Sequence, residues 1–182
     1  KTEYGKSLPL TPLSETWECS AHPDGPSTAA SGPWAGQSLP DVLAARPELL
    51  GCRYAASGKL PILIKLIDAE KDLSVQVHPD DAYAMAREGQ PGKTELWYVV
   101  DALPGARLVR GFEHDMTPAL LLDAVQRGNL EKHLHTAAVH SGDVFFIPPG
   151  TVHAIGAGCL IAEIQQSSNI TYRLYDYNRR DK

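Results

Sequence analysis

The sequence has no excess of basic residues and no long apolar run, and its first residues do not predict a secretory leader. It contains 17 Lys and Arg against 22 Asp and Glu, for a formal net charge of -5. This balance disfavours a nucleic-acid-binding surface, which is normally basic. No stretch approaches the roughly 20 apolar residues that a membrane span requires, and the first residues lack the apolar segment of a signal peptide. We therefore expect neither a nucleic-acid nor a membrane partner.

Paired cysteines are also lacking. Cys19, Cys52 and Cys159 are odd in number, widely separated and form no CxxC motif. This pattern excludes a disulfide framework and favours a reducing, cytoplasmic location. We interpret each cysteine as a small buried apolar residue rather than a catalytic thiol. The length of 182 residues, of which 43% are hydrophobic, suits a single domain over residues 1–182.

Short alternating segments separated by Pro and Gly recur along the chain. They predict an all-β protein, either an antiparallel sandwich or a small barrel. Short helices are predicted only as insertions, near residues 39–46, 80–88 and 117–134. Residues 60–69 are an almost continuous apolar run, which predicts a strand buried on both faces. Lys65 interrupts this run, so its ammonium needs an ionic partner, a function or access to a sheet edge.

Polar and apolar side chains alternate between residues 73 and 78. In a strand, this alternation puts Ser74, Gln76 and His78 on one face. The same pattern around Glu95 puts its carboxylate on one face of a second strand. Two neighbouring strands of this kind would direct Gln76, His78 and Glu95 towards one point. The sequence therefore predicts a metal site.

His153 is the predicted fourth ligand. It follows an aromatic strand and a Pro-Pro-Gly turn at 148–150, an arrangement expected to present its imidazole at the mouth of a barrel. Two imidazoles with the oxygens of Glu95 and Gln76 suit zinc or another divalent first-row ion. The neutral amide of Gln76 is the weakest of the four. The alternative for each histidine is a hydrogen-bonded residue at a sheet edge.

The order of several motifs resembles that of the type I mannose-6-phosphate isomerases, most closely the short bacterial form. The matching segments are Trp17-Glu18, His22-Pro23-Asp24-Gly25, Lys65, Ser74–Pro79, Gly92–Glu95, Ile147–His153 and Arg173–Tyr177. They extend over nearly the whole chain. The resemblance implies a cupin jelly-roll barrel with short helical insertions and one zinc ion per chain. It also implies interconversion of mannose 6-phosphate and fructose 6-phosphate.

The resemblance also implies roles for individual residues. The metal ligands are Gln76, His78, Glu95 and His153, although the short forms can hold the metal with the last three. The catalytic residues are Arg173 and Lys93, and the substrate-binding residues are Ser74, Lys65 and Glu163. Asn169 departs from the long-form pattern, which has an acidic residue there. The expected partner is a small hexose 6-phosphate, and the expected assembly is a monomer or homodimer.

The family pattern continues beyond this sequence at both ends. It has a further strand before Lys1 and a second β-rich region after Lys182. We therefore expect this chain to be a single cupin catalytic core, without the C-terminal region of the family.

Several functional alternatives stay open at this level. The base that moves the proton could be Glu163, Lys93, an unligated His78 or a metal-bound hydroxide. Arg173 and Lys93 are both candidates for the phosphate anchor. The main alternative function is a non-catalytic, metal-dependent sugar-phosphate-binding cupin, which the presence of two cations near the ligands disfavours. A third is an iron-dependent cupin oxygenase, which the Gln76 amide and the phosphate-suited cations disfavour.

Overall fold

The computed structural model describes residues 13–177 and 179. Within them lie ten β-strands: β1 Glu15–Cys19, β2 Ile62–Ala69, β3 Val75–Val77, β4 Glu95–Ala102, β5 Arg107–Phe112, β6 Leu134–Ala138, β7 Val144–Ile147, β8 His153–Ile155, β9 Cys159–Gln166 and β10 Tyr172–Tyr175. Four short α-helices interrupt them: α1 Leu39–Ala45, α2 Gly51–Tyr54, α3 Asp81–Arg87 and α4 Pro118–Gln126. None of these helices is long and apolar enough to cross a membrane.

The strands form two five-stranded antiparallel sheets. The first has the order β1-β2-β9-β4-β7, and the second has the order β10-β3-β8-β5-β6. Consecutive strands such as β2 and β3 belong to different sheets, so the chain crosses repeatedly from one sheet to the other. The all-β fold predicted from the short alternating segments is therefore confirmed.

The main core lies between the two sheets. Ile67, Trp97 and Ile161 project into it from the first sheet, and Leu108 and Ile155 from the second. A smaller cluster joins the second sheet to α4 and the 3-10 turn Leu130–His133 that follows it. Thr117 caps α4 by accepting a hydrogen bond from the Leu120 N–H. This helix therefore covers part of the second sheet, opposite the main core.

The prediction that β2 is buried on both faces is wrong. Its burial alternates, with Leu63, Lys65 and Ile67 buried and Ile62 and Asp68 exposed. The strand lies in an antiparallel sheet, where one face packs on the core and the other meets solvent. The outer face of this sheet is nevertheless rich in apolar side chains. The run around Lys65 therefore resembled a strand buried on both sides.

The cysteines are all free, as the sequence predicts. Cys159 is buried at the start of β9, and Cys19 is half-buried in β1. Cys52 is exposed in α2, a four-residue helix with no buried side chain. The interpretation as a buried apolar residue is therefore wrong for Cys52.

Candidate metal centre and substrate cavity

Three of the predicted ligands meet between the two sheets. His78 follows β3 directly and His153 begins β8, in the second sheet, while Glu95 begins β4 in the first. Their exposed fractions are 2%, 0% and 1%, respectively. Strand ends from both sheets therefore bring two imidazoles and one carboxylate into a shared, water-excluded space.

The ligand atoms of these three residues point at one another. The two Nε2 atoms of His78 and His153 are 3.1 Å apart. Glu95 Oε1 lies 3.3 Å from His78 Nε2, and Glu95 Oε2 lies 3.5 Å from His153 Nε2. One ligand atom from each residue lies within 4.8 Å of the other two. Among the described residues, this is the only group of three or more His, Cys, Asp or Glu side chains so arranged.

Backbone carbonyls fix the tautomers of both imidazoles. His78 Nδ1 lies 2.8 Å from the carbonyl oxygen of Ile170, and His153 Nδ1 lies 2.8 Å from that of Thr151. A carbonyl only accepts hydrogen bonds, so each Nδ1 carries the proton and donates it. Each neutral ring therefore presents the lone pair of Nε2 to the other ring. Outer hydrogen bonds of this kind orient metal-binding histidines.

The electrostatics of the cluster fit a divalent cation. Burial lowers the pKa of His153 to about 4 and also lowers that of His78, so both rings are neutral near pH 7. Burial by itself raises the pKa of Glu95, but its close contacts with His78 and with the Lys93 ammonium outweigh it and lower the pKa overall. Glu95 Oε2 is buried and accepts no hydrogen bond from any described residue. Facing lone pairs beside an unsatisfied carboxylate oxygen are the donor set that a metal ion such as zinc uses.

Lys93 is a buried cation in direct contact with this cluster. Its Nζ lies 2.5 Å from Glu95 Oε1 and 3.2 Å from His78 Nε2, and only 4% of the residue is exposed. The two-residue spacing puts Lys93 on the same side of the chain as Glu95, as the alternation predicts. Its backbone N–H donates to the carbonyl of Pro79, which ties it to the segment that follows His78.

A cavity of about 630 Å³ lies beside the cluster. Its lining includes all six of the remaining predicted site residues, namely Lys65, Ser74, Gln76, Lys93, Glu163 and Arg173. The structure therefore brings the predicted residues together in one place. Their individual roles stay predictions.

Gln76 lies in the centre of β3, between two other site residues. It pairs with His153 of β8 on one side and with Arg173 of β10 on the other. Its side chain is half-buried and lines the cavity. This position is compatible with a fourth ligand, and ligation by Gln76 stays a prediction.

Lys65 and Glu163 form a buried ion pair in the cavity wall. Lys65 Nζ lies 3.9 Å from Glu163 Oε1 and 3.8 Å from Glu15 Oε1, and it sits over the Trp17 ring at 4.7 Å from the centroid. The lysine is thus held inside the fold by partners, not at a sheet edge. Burial and the charge of Glu95 raise the pKa of Glu163 to about 7, while the two nearby lysines oppose this rise.

Sequence reasoning did not identify three charged residues of the cavity. These are Glu15, Asp176 and Arg179. Glu15 begins β1, which reaches the cavity by pairing with β2. These two strands are far apart in the sequence, so the sequence pattern gives no sign of their pairing. Asp176 and Arg179 follow β10, where the alternation that guided the prediction has ended. The one available signal for Arg179 was its place just after the matched motif at 173–177.

A two-sheet jelly roll with a His-Glu-His cluster at one end of its interior defines a cupin-type metal-binding protein. A sequence profile of the family described as "Phosphomannose isomerase type I, catalytic domain" matches residues 1–96, which is more than half of the chain. The chain therefore belongs to the type I phosphomannose isomerase family. The resemblance seen in its motifs is confirmed.

Curated relatives match over the whole chain. A mannose-6-phosphate isomerase from Streptococcus mutans is 42% identical over 181 residues, covering 100% of this chain and 56% of the relative. A mannose-6-phosphate isomerase from Bacillus subtilis is 40% identical over 180 residues, covering 98% of this chain and 56% of the relative. The chain thus spans a little over half the length of these relatives.

Solved structures show the same fold. The crystal structure of mannose 6-phosphate isomerase from Bacillus subtilis superposes with a TM-score of 0.91 at 39% identity, covering 99% of this chain and 57% of that one. A mannose 6-phosphate isomerase described as bound with zinc and yttrium superposes with a TM-score of 0.68 at 20% identity, covering 94% of this chain and 64% of that one. At such low identity, the second likeness concerns the fold alone. The predicted cupin jelly roll is confirmed.

Proposed function

We propose that this chain is the catalytic core of a zinc-dependent isomerase that interconverts mannose 6-phosphate and fructose 6-phosphate. One observation supports it most: the cluster of His78, Glu95 and His153 lies beside a cavity whose wall carries Lys93 and Arg173. A metal-type donor set and cations suited to phosphate are what this substrate requires. We also propose that residues 1–182 act as one cupin unit.

The proposed metal ligands are His78, Glu95 and His153, with Gln76 as the fourth. When bound, a divalent cation supplies Lewis-acid stabilisation of negative charge on the sugar oxygens. Two imidazoles and one carboxylate are a common zinc set in enzymes, with a position left for water or substrate.

The reaction moves one proton from C2 to C1 of the open-chain sugar and moves a hydroxyl proton between O2 and O1. Negative charge develops on both oxygens as the C2 proton leaves. In this proposal, Lys93 places its ammonium near these oxygens, because it already borders the ligand cluster. Fixed positive charge in a water-poor site stabilises such a transition state more strongly than it would in water.

Glu163 is our proposed base for the carbon-bound proton. Burial is the main cause that raises the pKa of Glu163, to about 7 in the metal-free protein, and it does not depend on the charge of Glu95. A carboxylate with a raised pKa is a better general base. Glu163 lines the cavity and is buried, so water does not compete for its proton. His78 is a weaker candidate, because its Nε2 faces Glu95 and His153 and its Nδ1 is bonded to a carbonyl. Lys93 remains the competing candidate.

A coupled assay with mannose 6-phosphate tests the proposed function. Isomerisation should disappear after chelation and return when zinc is restored. Binding of mannose 6-phosphate without turnover, in the metal-loaded protein, would favour the sugar-phosphate-binding alternative. Consumption of dioxygen without isomerisation would favour an oxygenase.

The role of Glu163 is tested by Glu163→Gln against Glu113→Gln, an exposed carboxylate paired with His135. We expect the first variant to lose at least about 100-fold in kcat with its metal retained, because general base catalysis contributes about 10² to 10⁴. The second should behave as the unmodified protein. If Glu163→Gln keeps full kcat and Lys93→Gln loses it, Lys93 is the better candidate for the base.

The remaining proposals concern partners and location. We propose a cytoplasmic protein whose principal ligand is a hexose 6-phosphate, because its three cysteines are all free and such sugars are made inside cells. We propose a monomer or homodimer. Light scattering of the purified chain separates these two states.

A further inference from the structure

Two side chains hold the segment that leads to Glu95. Asp81 Oδ1 accepts a hydrogen bond of 2.9 Å from the Gly92 N–H. Gln166 Oε1 accepts a hydrogen bond of 2.8 Å from the Thr94 N–H. Gln166 Nε2 in turn donates to the same oxygen of Asp81 at 3.0 Å, which joins the two side chains. An unbroken series of hydrogen bonds therefore runs from the Gly92 backbone to the Thr94 backbone.

The two side chains come from different elements of the fold. Asp81 begins α3, shortly after the proposed ligand His78, and Gln166 ends β9. The Gln166 N–H also donates to the Thr94 carbonyl oxygen at 3.0 Å, so Gln166 contacts both polar groups of the Thr94 backbone. The pair thereby fastens the residues before Glu95 to the start of α3 and to the end of β9.

Neither side chain belongs to the lining of the cavity beside the ligand cluster. Both line another cavity, of about 750 Å³. Asp81 is exposed and Gln166 is half-buried, and neither belongs to the two apolar clusters of the core. An effect of the pair on the ligand cluster therefore acts through the backbone that it holds, and not by contact with a metal ion or a substrate.

The held backbone carries two charged groups of the site. Lys93 Nζ lies 3.2 Å from His78 Nε2, and Glu95 Oε2 lies 3.5 Å from His153 Nε2. A binding site works only when its groups are held within about 0.5 Å of the productive geometry. Because Asp81 is a carboxylate, both hydrogen bonds to it are charge-assisted and roughly twice as strong as bonds between neutral groups. The pair is therefore strong enough to restrain this backbone.

We propose that Asp81 and Gln166 are positioning residues, which fix Lys93 and Glu95 relative to His78 and thereby set the affinity of the cluster for zinc. The consequence for zinc rests on the proposed ligand set, and the consequence for isomerisation rests on the proposed function. The two side chains act as one unit, because each holds one end of the same short segment and they bond to each other.

Asp81→Ala and Gln166→Ala test the pair, with Asp80→Ala and Gln90→Ala as matched controls. Asp80 is the adjacent carboxylate, which caps α3 through the Tyr83 N–H, and Gln90 is a half-buried glutamine in the wall of the same cavity. In competition with a fluorescent zinc chelator, we expect each test variant to bind zinc about 10- to 100-fold more weakly, as when outer partners of metal ligands are removed. The controls should keep the zinc affinity of the unmodified protein, although Asp80→Ala should be less stable.

Three further measurements separate positioning from a general structural role. Asp81→Asn keeps an oxygen acceptor and should recover most of the lost zinc affinity. The double variant Asp81→Ala/Gln166→Ala should bind zinc no more weakly than the weaker single variant, whereas fully additive losses would overturn the proposal. In an active protein, kcat for mannose 6-phosphate should fall in the single variants while KM stays within twofold, because neither side chain touches the substrate.

Amide hydrogen exchange at Lys93 and Glu95 separates this inference from the proposed function, because it requires neither metal nor turnover. Exchange at least about tenfold faster in Asp81→Ala and in Gln166→Ala supports the positioning role even if no isomerisation is found. Exchange rates and a zinc affinity within twofold of the unmodified protein would overturn the inference and leave the isomerase proposal intact. If the alanine variants fail to fold, Gln166→Glu decides. It keeps an acceptor for the Thr94 N–H but replaces the donor to Asp81 by a like charge, so unchanged exchange in this variant also overturns the inference.

Discussion

Lys65 and Glu163 lie directly opposite each other across β2 and β9, with their charged atoms 3.9 Å apart. The same register continues along the first sheet, where Trp17 lies opposite Lys65 and Trp97 lies opposite Glu163. Trp97 Nε1 donates a hydrogen bond of 2.9 Å to Glu163 Oε2. Neighbouring strands thus place the Lys65 and Glu163 charges between the Trp17 and Trp97 rings. Burial and the charged neighbours of Glu163 set its protonation state.

The first prediction concerns the pH dependence of stability. The pKa of Glu163 in the folded protein is about 7, above its ordinary value of 4.5, so the folded state binds more protons than the unfolded state between these pH values. The free energy of unfolding should therefore fall as pH rises across this window, by at most about 3 kcal/mol from this residue. Glu163→Gln should flatten the decline. Urea unfolding at several pH values between 4.5 and 8 measures it.

A chelator belongs in these unfolding experiments, because a bound cation would counter the charge of Glu95 that helps to raise the pKa of Glu163. The difference between the unmodified protein and Glu163→Gln removes the contribution of every other titrating group. If the free energy of unfolding changes with pH in the same way in both proteins, the pKa of Glu163 in the folded protein is not raised.

The second prediction concerns Trp97, whose ring is fully buried and also meets the His153 ring edge to face at 5.3 Å. Trp97→Phe removes the hydrogen bond to Glu163 and leaves a small void. We expect a loss of about 2–4 kcal/mol in the free energy of unfolding. Trp34→Phe, at a half-buried indole in a short 3-10 turn, should cost less than about 1 kcal/mol. Equal losses of unfolding free energy in Trp97→Phe and Trp34→Phe would contradict a structural role for the hydrogen bond between Trp97 and Glu163.

Alternation in the sequence predicted the ligand cluster because its residues belong to short strands or directly follow them. His78, Glu95 and His153 each occupy the polar side of an alternating segment, and a strand leaves only two sides to choose from. Alternation shows which face of a strand a side chain occupies, but it does not show which strands pair with each other in a sheet. The alternation therefore predicted a shared metal site only on the assumption that these strands are neighbours, which the family resemblance supported and the two sheets then showed.

The errors of the sequence-based interpretation have related physical causes. The outer face of the first sheet is apolar yet exposed, as at Val144 and Phe146, so hydrophobicity overestimated the burial of β2. The ionic partner of Lys65 could not be identified, because Glu163 becomes its neighbour only through the pairing of β2 with β9. Arg179 was missed because a left-handed residue at Tyr177 turns the chain back, and tyrosine gives no sign of such a turn.

The third prediction concerns metal binding by Glu95. Glu95→Ala should lower zinc affinity at least about 100-fold and abolish isomerisation, because the carboxylate is the only anionic member of the cluster. Competition with a fluorescent zinc chelator measures the affinity without any need for activity. Glu113→Gln, at an exposed carboxylate, should bind zinc as the unmodified protein does.

Removal of Glu95 also leaves Lys93 buried without its closest partner, and an uncompensated buried charge costs several kcal/mol. The double variant Lys93→Met/Glu95→Gln avoids this penalty, so it should fold while still failing to bind zinc tightly. Full zinc occupancy in either variant would show that the ligand set is wrong.

The fourth prediction concerns Gly92, which precedes Lys93 in a tightly packed loop. A Cβ added at Gly92 would lie 2.5 Å from the backbone carbon of Asp80 and 2.7 Å from the carbonyl oxygen of Pro79. Backbone atoms cannot yield as a flexible side chain can, so Gly92→Ala must push the loop away from the residues that follow His78. The Lys93 N–H donates a hydrogen bond to the carbonyl oxygen of Pro79, one of the atoms that the new Cβ would displace. The displacement should therefore also move Lys93 away from the cluster. We expect a loss of about 2–4 kcal/mol in the free energy of unfolding and a weaker affinity for zinc. Gln90→Ala, two residues earlier, should leave both quantities nearly unchanged, and a Gly92→Ala variant as stable as Gln90→Ala would show that the loop is not packed in this way.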